Sequence, residues 1–115
     1  MTLNLRTLGW DAHDPHRLAR FWSGLLGWET TGDGLTLVPD DDTGFDIRFA
    51  PTQVPRTAHN KSHVDLRTES PEHQQETVEL ALRLGARHID IGQGDVPWAV
   101  MADPEGNEFC VHPPR

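Results

Sequence analysis

The sequence predicts an α+β fold of two βαβββ modules that form a curved mixed sheet around a concave pocket, with the helices on the outside. Two helix signatures of the same design lie about half a chain apart. Each follows an extended stretch and precedes three short β-like runs, which indicates an internal repeat. The 115 residues suffice for one domain. We therefore expect a single domain over 1–115, with module one at about 1–52 and module two at about 58–115.

Local signals specify both helices. The range 14–27 begins with Asp and Pro, carries one apolar stripe with helical spacing, and ends in Gly. The range 70–85 repeats this design with a Ser cap, Pro, an acidic first turn and a final Gly. Asp and Ser are good N-caps, Pro suits the first helical position, and Gly suits a left-handed exit. Each apolar stripe predicts that its helix packs on a sheet.

The strands follow from alternation of apolar and polar residues. Module one is expected to place strands in LNLRTLGWD, WETT, GLTLVPD and GFDIRFA, and module two in SHVDLRT, RHIDI, PWAVMA and EFCVH. In a strand, alternate side chains share one face. The polar faces of three of these strands carry the residues with the most chemistry, namely Asp46, Arg48, His63, Asp65, Arg67, Glu108, Cys110 and His112. A curved sheet would gather these faces into the pocket.

Composition excludes several classes of partner. The net charge of -8 would repel nucleic acid and anionic membrane surfaces. The sequence has neither a signal-peptide pattern nor an apolar stretch of membrane-spanning length, so we expect a cytoplasmic protein. Cys110 is the single cysteine, which excludes a disulfide within the chain. Nine of the ten basic side chains are Arg, a bias that fits a GC-rich bacterial gene.

Three motifs together resemble the vicinal oxygen chelate superfamily. They are DPHRLARFWSGLLGWE after the first strand, SHVDL at the opening of module two, and DPEGNEFCV near the end. More narrowly, the chain is similar to the glyoxalase-like group among the glyoxalase, bleomycin-resistance and extradiol-dioxygenase proteins, over nearly its whole length. The resemblance implies a small-molecule ligand and a homodimer.

The resemblance also implies where a metal would bind. In metal-using members, His, Glu or Gln ligands come from the first and last strands of each module. Here His63 matches such a position, whereas Cys110 stands where a carboxylate is usual, and Thr7 and Arg48 fall at the two positions of module one. A guanidinium cannot coordinate a cation. We therefore expect an incomplete metal site with His63 as its ordinary ligand, and no assured cofactor; the candidate ions are Zn, Ni, Mn and Fe.

The leading hypothesis is a glyoxalase-like protein with a degenerate metal site that binds a small polar or anionic ligand. If the protein is an enzyme, it also transforms that ligand. Catalysis would fall to His63, Asp65 and Cys110, and ligand binding to Arg48, Thr7 and Trp98. One rival is a divalent-metal lyase, isomerase or dioxygenase that uses His63 with Glu108, Cys110, His112 or a partner subunit. The other is a non-catalytic protein that sequesters a drug.

Each candidate residue also has a purely structural interpretation. His63 would then be a hydrogen-bonded strand histidine, and Cys110 a small packing residue. Arg48 would pair with Asp65 or Asp46 within the chain. Trp98 would belong to the core, as is common for a single Trp. The DPEGN stretch is expected to be a turn that directs the last strand, without a catalytic role.

Overall fold

The computed structural model describes residues 2–56 and 62–115. Contacts within the chain divide it into two units, Met1–Pro55 and Arg56–Arg115. In chain order, the elements are β1 (Thr7–Ala12), α1 (Pro15–Leu26), β2 (Glu29–Thr30), β3 (Thr36–Val38), β4 (Asp46–Pro51), β5 (Val64–Arg67), α2 (Pro71–Leu84), β6 (Arg87–His88), β7 (Ala99–Ala102) and β8 (Glu108–His112). The predicted pair of βαβββ modules is confirmed. The predicted start of module two near residue 58 lies outside the described residues.

Both helices begin and end at the predicted signals. The Asp14 carboxylate accepts a hydrogen bond from the backbone N–H of Arg17, and the Ser70 hydroxyl accepts one from the N–H of His73. Each bond satisfies one of the donors that a helix leaves open at its start. Gly27 and Gly85 end the helices with φ of 75° and 115°, in the left-handed region that favours glycine.

The first unit contains a four-stranded mixed sheet in the order β1-β4-β3-β2. The central contact is the parallel pair β1/β4, which places Thr7 opposite Asp46 and Gly9 opposite Arg48. Helix α1 contacts this sheet. The buried apolar residues of the unit include Leu18, Phe21, Trp22, Leu37, Ile47 and Phe49. Burial of Ile47 and Phe49 leaves Arg48 on the opposite, open face, as alternation predicts.

The second unit repeats this topology, with the order β5-β8-β7-β6 and a parallel pair β5/β8. Phe109 and Val111 are fully buried on β8. Asp65 lies opposite Cys110 in the parallel register. Because a shift of one residue would reverse the faces of a strand, this register decides which side chains meet. Neither helix of the described residues is long and apolar enough to span a bilayer.

The predicted turn before the last strand is present and is built around Asp103. The carboxylate of this fully buried residue accepts hydrogen bonds from the backbone N–H groups of Glu105 and Asn107 and from the Asn107 side-chain amide. Gly106 turns the chain at φ 86°. These bonds satisfy polar groups of a largely buried turn, and they fix where β8 begins.

Candidate functional site

Three of the predicted site residues come together in the second unit. His63 lies just before β5, Asp65 lies on that strand, and Cys110 lies opposite Asp65 on β8. One imidazole nitrogen, one carboxylate oxygen and the sulfur all lie within 4.8 Å of one another. The register predicted from alternation therefore places these side chains on one face. Their convergence is the main feature of the candidate site.

Asp65 is the negative centre of this group. Its Oδ1 lies 2.9 Å from Nε2 of His112 and 3.3 Å from Nε2 of His63. Burial raises the pKa of Asp65, but the hydrogen bond from His112, the charges of the two histidines and a hydrogen bond from the Cys110 thiol outweigh it. The pKa of Asp65 therefore lies below its usual value, and the carboxylate is ionised at neutral pH.

Cys110 is buried beside this carboxylate, with 7% of its surface exposed. Burial raises the pKa of the thiol, and the negative charges of Asp65 and Glu108 raise it further. The neutral thiol is therefore favoured in the absence of a cation, because burial and nearby negative charges both disfavour the thiolate. A divalent cation reverses this preference, because metals bind the thiolate form.

The other two polar residues of the last strand have different surroundings. The His112 imidazole donates to Asp65 and its ring packs on Trp98, with the ring centroids 5.3 Å apart. Glu108 forms an ion pair with Arg56, with a nitrogen–oxygen distance of 3.8 Å. Of the two extra ligands considered from the sequence, His112 contacts the group through Asp65. The charge of Glu108 acts on Cys110.

The predicted site residues of module one lie in the first unit. Arg48 pairs with Asp33 at 3.5 Å and donates a hydrogen bond to the Thr36 hydroxyl at 2.9 Å. The sequence analysis considered Asp46 and Asp65 as partners of Arg48. Within this unit, Arg48 pairs with Asp33 and not with Asp46. One carboxylate oxygen of Asp46 is buried without a hydrogen bond among the described residues. Thr7 lies beside Asp46 on the exposed edge strand β1.

Trp98 is half-buried and lines a groove of about 430 Å³ between α2 and the segment before β7. The groove is mainly apolar and includes Pro71, Gln74, Val78 and Pro97. Gln74 closes one side by donating hydrogen bonds to the carbonyl oxygens of Pro97 and Val111. Trp98 thus contacts both this groove and, through His112, the candidate site.

The donor set of the second unit fits a divalent metal ion. Imidazole nitrogen, carboxylate oxygen and thiolate sulfur are all zinc ligands, and three protein ligands are typical of zinc sites that keep an open position. Donor atoms around a tetrahedral zinc lie ~3.5 Å apart. The side chain of His63 is 52% exposed, so it has room to rotate closer to the other two donors. Two charges of opposite sign to the ion, from Asp65 and the thiolate, would compensate it.

Sequence reasoning missed the hydrogen bond between His112 and Asp65 and the ion pair between Arg48 and Asp33. The first had a visible signal, because His112 follows Cys110 by two residues and therefore shares its face. The second had none, since Asp33 lies in the hairpin loop before β3 and its approach to Arg48 depends on how that loop folds. The backbone N–H of Leu35, the Thr31 hydroxyl and Arg48 together hold the pKa of Asp33 below its usual value.

The sequence matches a known family, and solved structures share the fold. A family model described as a glyoxalase-like domain matches residues 7–112. A glyoxalase/bleomycin resistance protein/dioxygenase family enzyme from Burkholderia phytofirmans PsJN aligns with a TM-score of 0.75 and 18% identity, over 96% of this chain and 98% of its own. A glyoxalase-related enzyme from Fulvimarina pelagi aligns with a TM-score of 0.72 and 14% identity, over 97% of this chain and 88% of its own.

A fosfomycin resistance protein, FosX, from Mesorhizobium loti also shares the fold, with a TM-score of 0.67 and 14% identity over 97% of this chain and 92% of its own. A search of curated proteins found no match. At these identities, the solved structures establish the fold alone. The family match extends from the first residue of β1 to the last residue of β8. The chain therefore belongs to the glyoxalase-like domain family.

Proposed function

We propose that this chain binds a small molecule at a divalent-metal centre in its second module, held by His63, Asp65 and Cys110. The convergence of three different donor atoms within 4.8 Å is the observation that carries the proposal. Among Zn, Ni, Mn and Fe, the thiolate favours zinc over manganese, because soft sulfur ligands select zinc whereas manganese prefers oxygen. We therefore prefer the rival hypothesis, a divalent-metal protein, to the degenerate metal site that Thr7 and Arg48 of module one predict.

The side chains divide the work between them. A divalent ion held there would polarise the oxygen atoms of a bound molecule and stabilise negative charge on them. Asp65 would supply a negative charge, and Cys110 would lose its thiol proton on coordination. His63 would contribute a ring nitrogen. Because His63 and Asp65 are half-exposed, a small molecule reaches this group directly from solvent.

The reaction class stays open between a lyase, an isomerase or a dioxygenase on one side and sequestration without chemistry on the other. Superfamily membership does not choose among them, because one fold supports many activities. The fosfomycin resistance protein among the structural relatives supports including oxygen-rich drugs among the molecules to test. Recovery of a tightly bound molecule unchanged after long incubation would favour sequestration. The homodimer implied by the resemblance stays a prediction.

Titration with Zn²⁺ tests the metal centre. We expect the reduced, untagged protein to bind one equivalent by isothermal titration calorimetry, and the His63→Ala variant to bind at least about 100-fold more weakly, because it loses a direct ligand. The matched control is His88→Ala, since His88 is an exposed histidine on β6, outside the group. Equal affinity in wild type and His63→Ala, or no stoichiometric binding by wild type, would contradict the proposal.

A metal-independent role in anion binding is the second candidate, and Arg48 supports it. Its side chain is 53% exposed on the open face of the first unit, and Gly9 opposite it has no side chain to block access. A guanidinium binds carboxylates and phosphates through two parallel hydrogen bonds. Its present partner, Asp33, is itself exposed and easily exchanged for a ligand, because exposed ion pairs contribute little stability.

We expect Arg48→Ala to weaken binding of malonate by about 10- to 100-fold, the loss of a hydrogen bond to a charged group, while binding of neutral malonamide changes little. Equilibrium binding of both compounds to wild type, Arg48→Ala and the exposed-arginine control Arg87→Ala provides the measurement. An equal loss for the charged and the neutral compound would argue against an anion site at Arg48.

A further inference from the structure

His112 is held in place by contacts on both its backbone and its ring. Its carbonyl oxygen accepts hydrogen bonds from the Thr68 hydroxyl at 2.7 Å and from the Thr68 backbone N–H at 3.2 Å. Thr68 itself is buried. The imidazole ring packs against Trp98. The side chain therefore has a defined direction, and that direction ends on Asp65, whose Oδ1 it contacts at 2.9 Å.

Asp65 needs such an external constraint. Its side chain is 53% exposed, so packing does not select one rotamer. An ionised carboxylate only accepts hydrogen bonds, so the imidazole must donate its Nε2–H. A carboxylate has about four acceptor positions. The bond from His112 uses one, and the Cys110 thiol uses another while it keeps its proton. The remaining positions stay available to a cation on the side where His63 and Cys110 converge.

His112 is not part of the converging set itself. Among residues 2–56 and 62–115, the group of donor atoms that lie within 4.8 Å of one another contains His63, Asp65 and Cys110. His112 reaches this group only through the carboxylate. In metal sites, groups that hydrogen-bond a ligand fix its orientation, and their loss typically lowers metal affinity by about 10- to 100-fold.

We propose that His112 is a positioning residue, which orients the Asp65 carboxylate toward the metal centre by donating a hydrogen bond from an imidazole that packs on Trp98, on a backbone held by Thr68. This inference rests on the proposed metal centre. Strand β8 would then contribute to the metal site in two ways. Cys110 provides a ligand atom, and His112, two residues further along the same face, determines how a ligand from the neighbouring strand is held.

Two substitutions separate the hydrogen bond from the ring packing. His112→Phe keeps an aromatic ring against Trp98 and removes the donor, whereas His112→Gln removes the ring and keeps an N–H donor at a similar distance from the backbone. We expect Zn²⁺ affinity, measured by calorimetry on the full chain, to fall by about 10- to 100-fold in His112→Phe. His112→Gln should stay within about 3-fold of wild type, because the donated bond is retained.

The cobalt-substituted protein supplies an independent signature. The thiolate-to-cobalt charge-transfer band should persist in both variants, because Cys110 still binds, while the ligand-field bands shift in His112→Phe and remain close to wild type in His112→Gln. Wild-type affinity in His112→Phe, or an equal loss in both variants that follows their loss of stability in urea, would overturn the positioning role. Failure of the wild-type protein to bind Zn²⁺ would instead overturn the metal centre, and the inference with it.

Discussion

Replacing Cys110 by serine is expected to weaken Zn²⁺ binding by at least about 100-fold. This exceeds the loss of affinity of about 10- to 100-fold that is typical when a residue that hydrogen-bonds a metal ligand is removed. The reason lies in the chemistry of the two side chains. A thiol loses its proton to a bound zinc and becomes a strong, charged ligand, whereas a serine hydroxyl remains a weak one. Calorimetric titration of the reduced proteins measures the difference. Unchanged affinity would mean that the sulfur is not a donor.

Cys110→Asp is the matched variant for this test, since it restores the carboxylate that the resemblance associates with this strand position. It should shift the preference away from zinc and bind Mn²⁺ about tenfold more tightly than wild type does, because carboxylate oxygen suits manganese better than thiolate sulfur. Serine is close to cysteine in size, so Cys110→Ser should fold normally. Urea unfolding of both variants is needed as a check on folding, because Cys110 is buried.

Asp103→Ala is expected to lower the free energy of unfolding by about 3 kcal/mol, which is large for a single substitution. The fully buried carboxylate accepts two backbone N–H groups and the side-chain amide of Asn107. The alanine variant removes this shared acceptor from a largely buried turn, and the loss of an acceptor by buried donors is costly. The urea midpoint measures the loss. We expect the variant to weaken Zn²⁺ binding as well, because the same turn determines where β8 begins and therefore where Cys110 lies.

Asp90→Ala is the control for this prediction. Its carboxylate also accepts a backbone N–H, from Gly92, but it does so in an exposed turn. Water can replace the lost acceptor there, so the expected destabilisation stays below about 1 kcal/mol. Similar losses in the free energy of unfolding for the two variants would show that burial does not determine how much the Asp103 turn stabilises the protein.

The helices were predictable because their limits depend on residues close in sequence. The caps at Asp14 and Ser70 and the terminal glycines act within a few residues, and the structure confirms each of them. The apolar stripe of α1 is largely buried, whereas in α2 Ala81 is buried and Leu82 is exposed. The strands and their faces were predictable for a similar reason, since alternation in FDIRFA and EFCVH assigns each side chain to one side. The family match covers residues 7–112 and therefore includes all of these elements.

The candidate site was only partly predictable. His63, Asp65 and Cys110 were identified as site residues from strand faces and from the resemblance, and the parallel register of β5 and β8 brings them together. From the sequence, Asp46 and Asp65 were the candidate ion-pair partners of Arg48. In the structure, Arg48 pairs with Asp33 in its own unit. That pairing depends on a loop conformation that no periodic pattern encodes.

By itself, the sequence determined the fold, the faces of the strands and the residue types available to the site, because these depend on short-range capping, alternation and turn chemistry. Only the tertiary structure decided that His112 bonds to Asp65 and that the Cys110 thiol is buried against a charged carboxylate. Those contacts join residues about 45 positions apart. They depend on the register of two strands and on side-chain rotamers, which become fixed only when the sheet has formed.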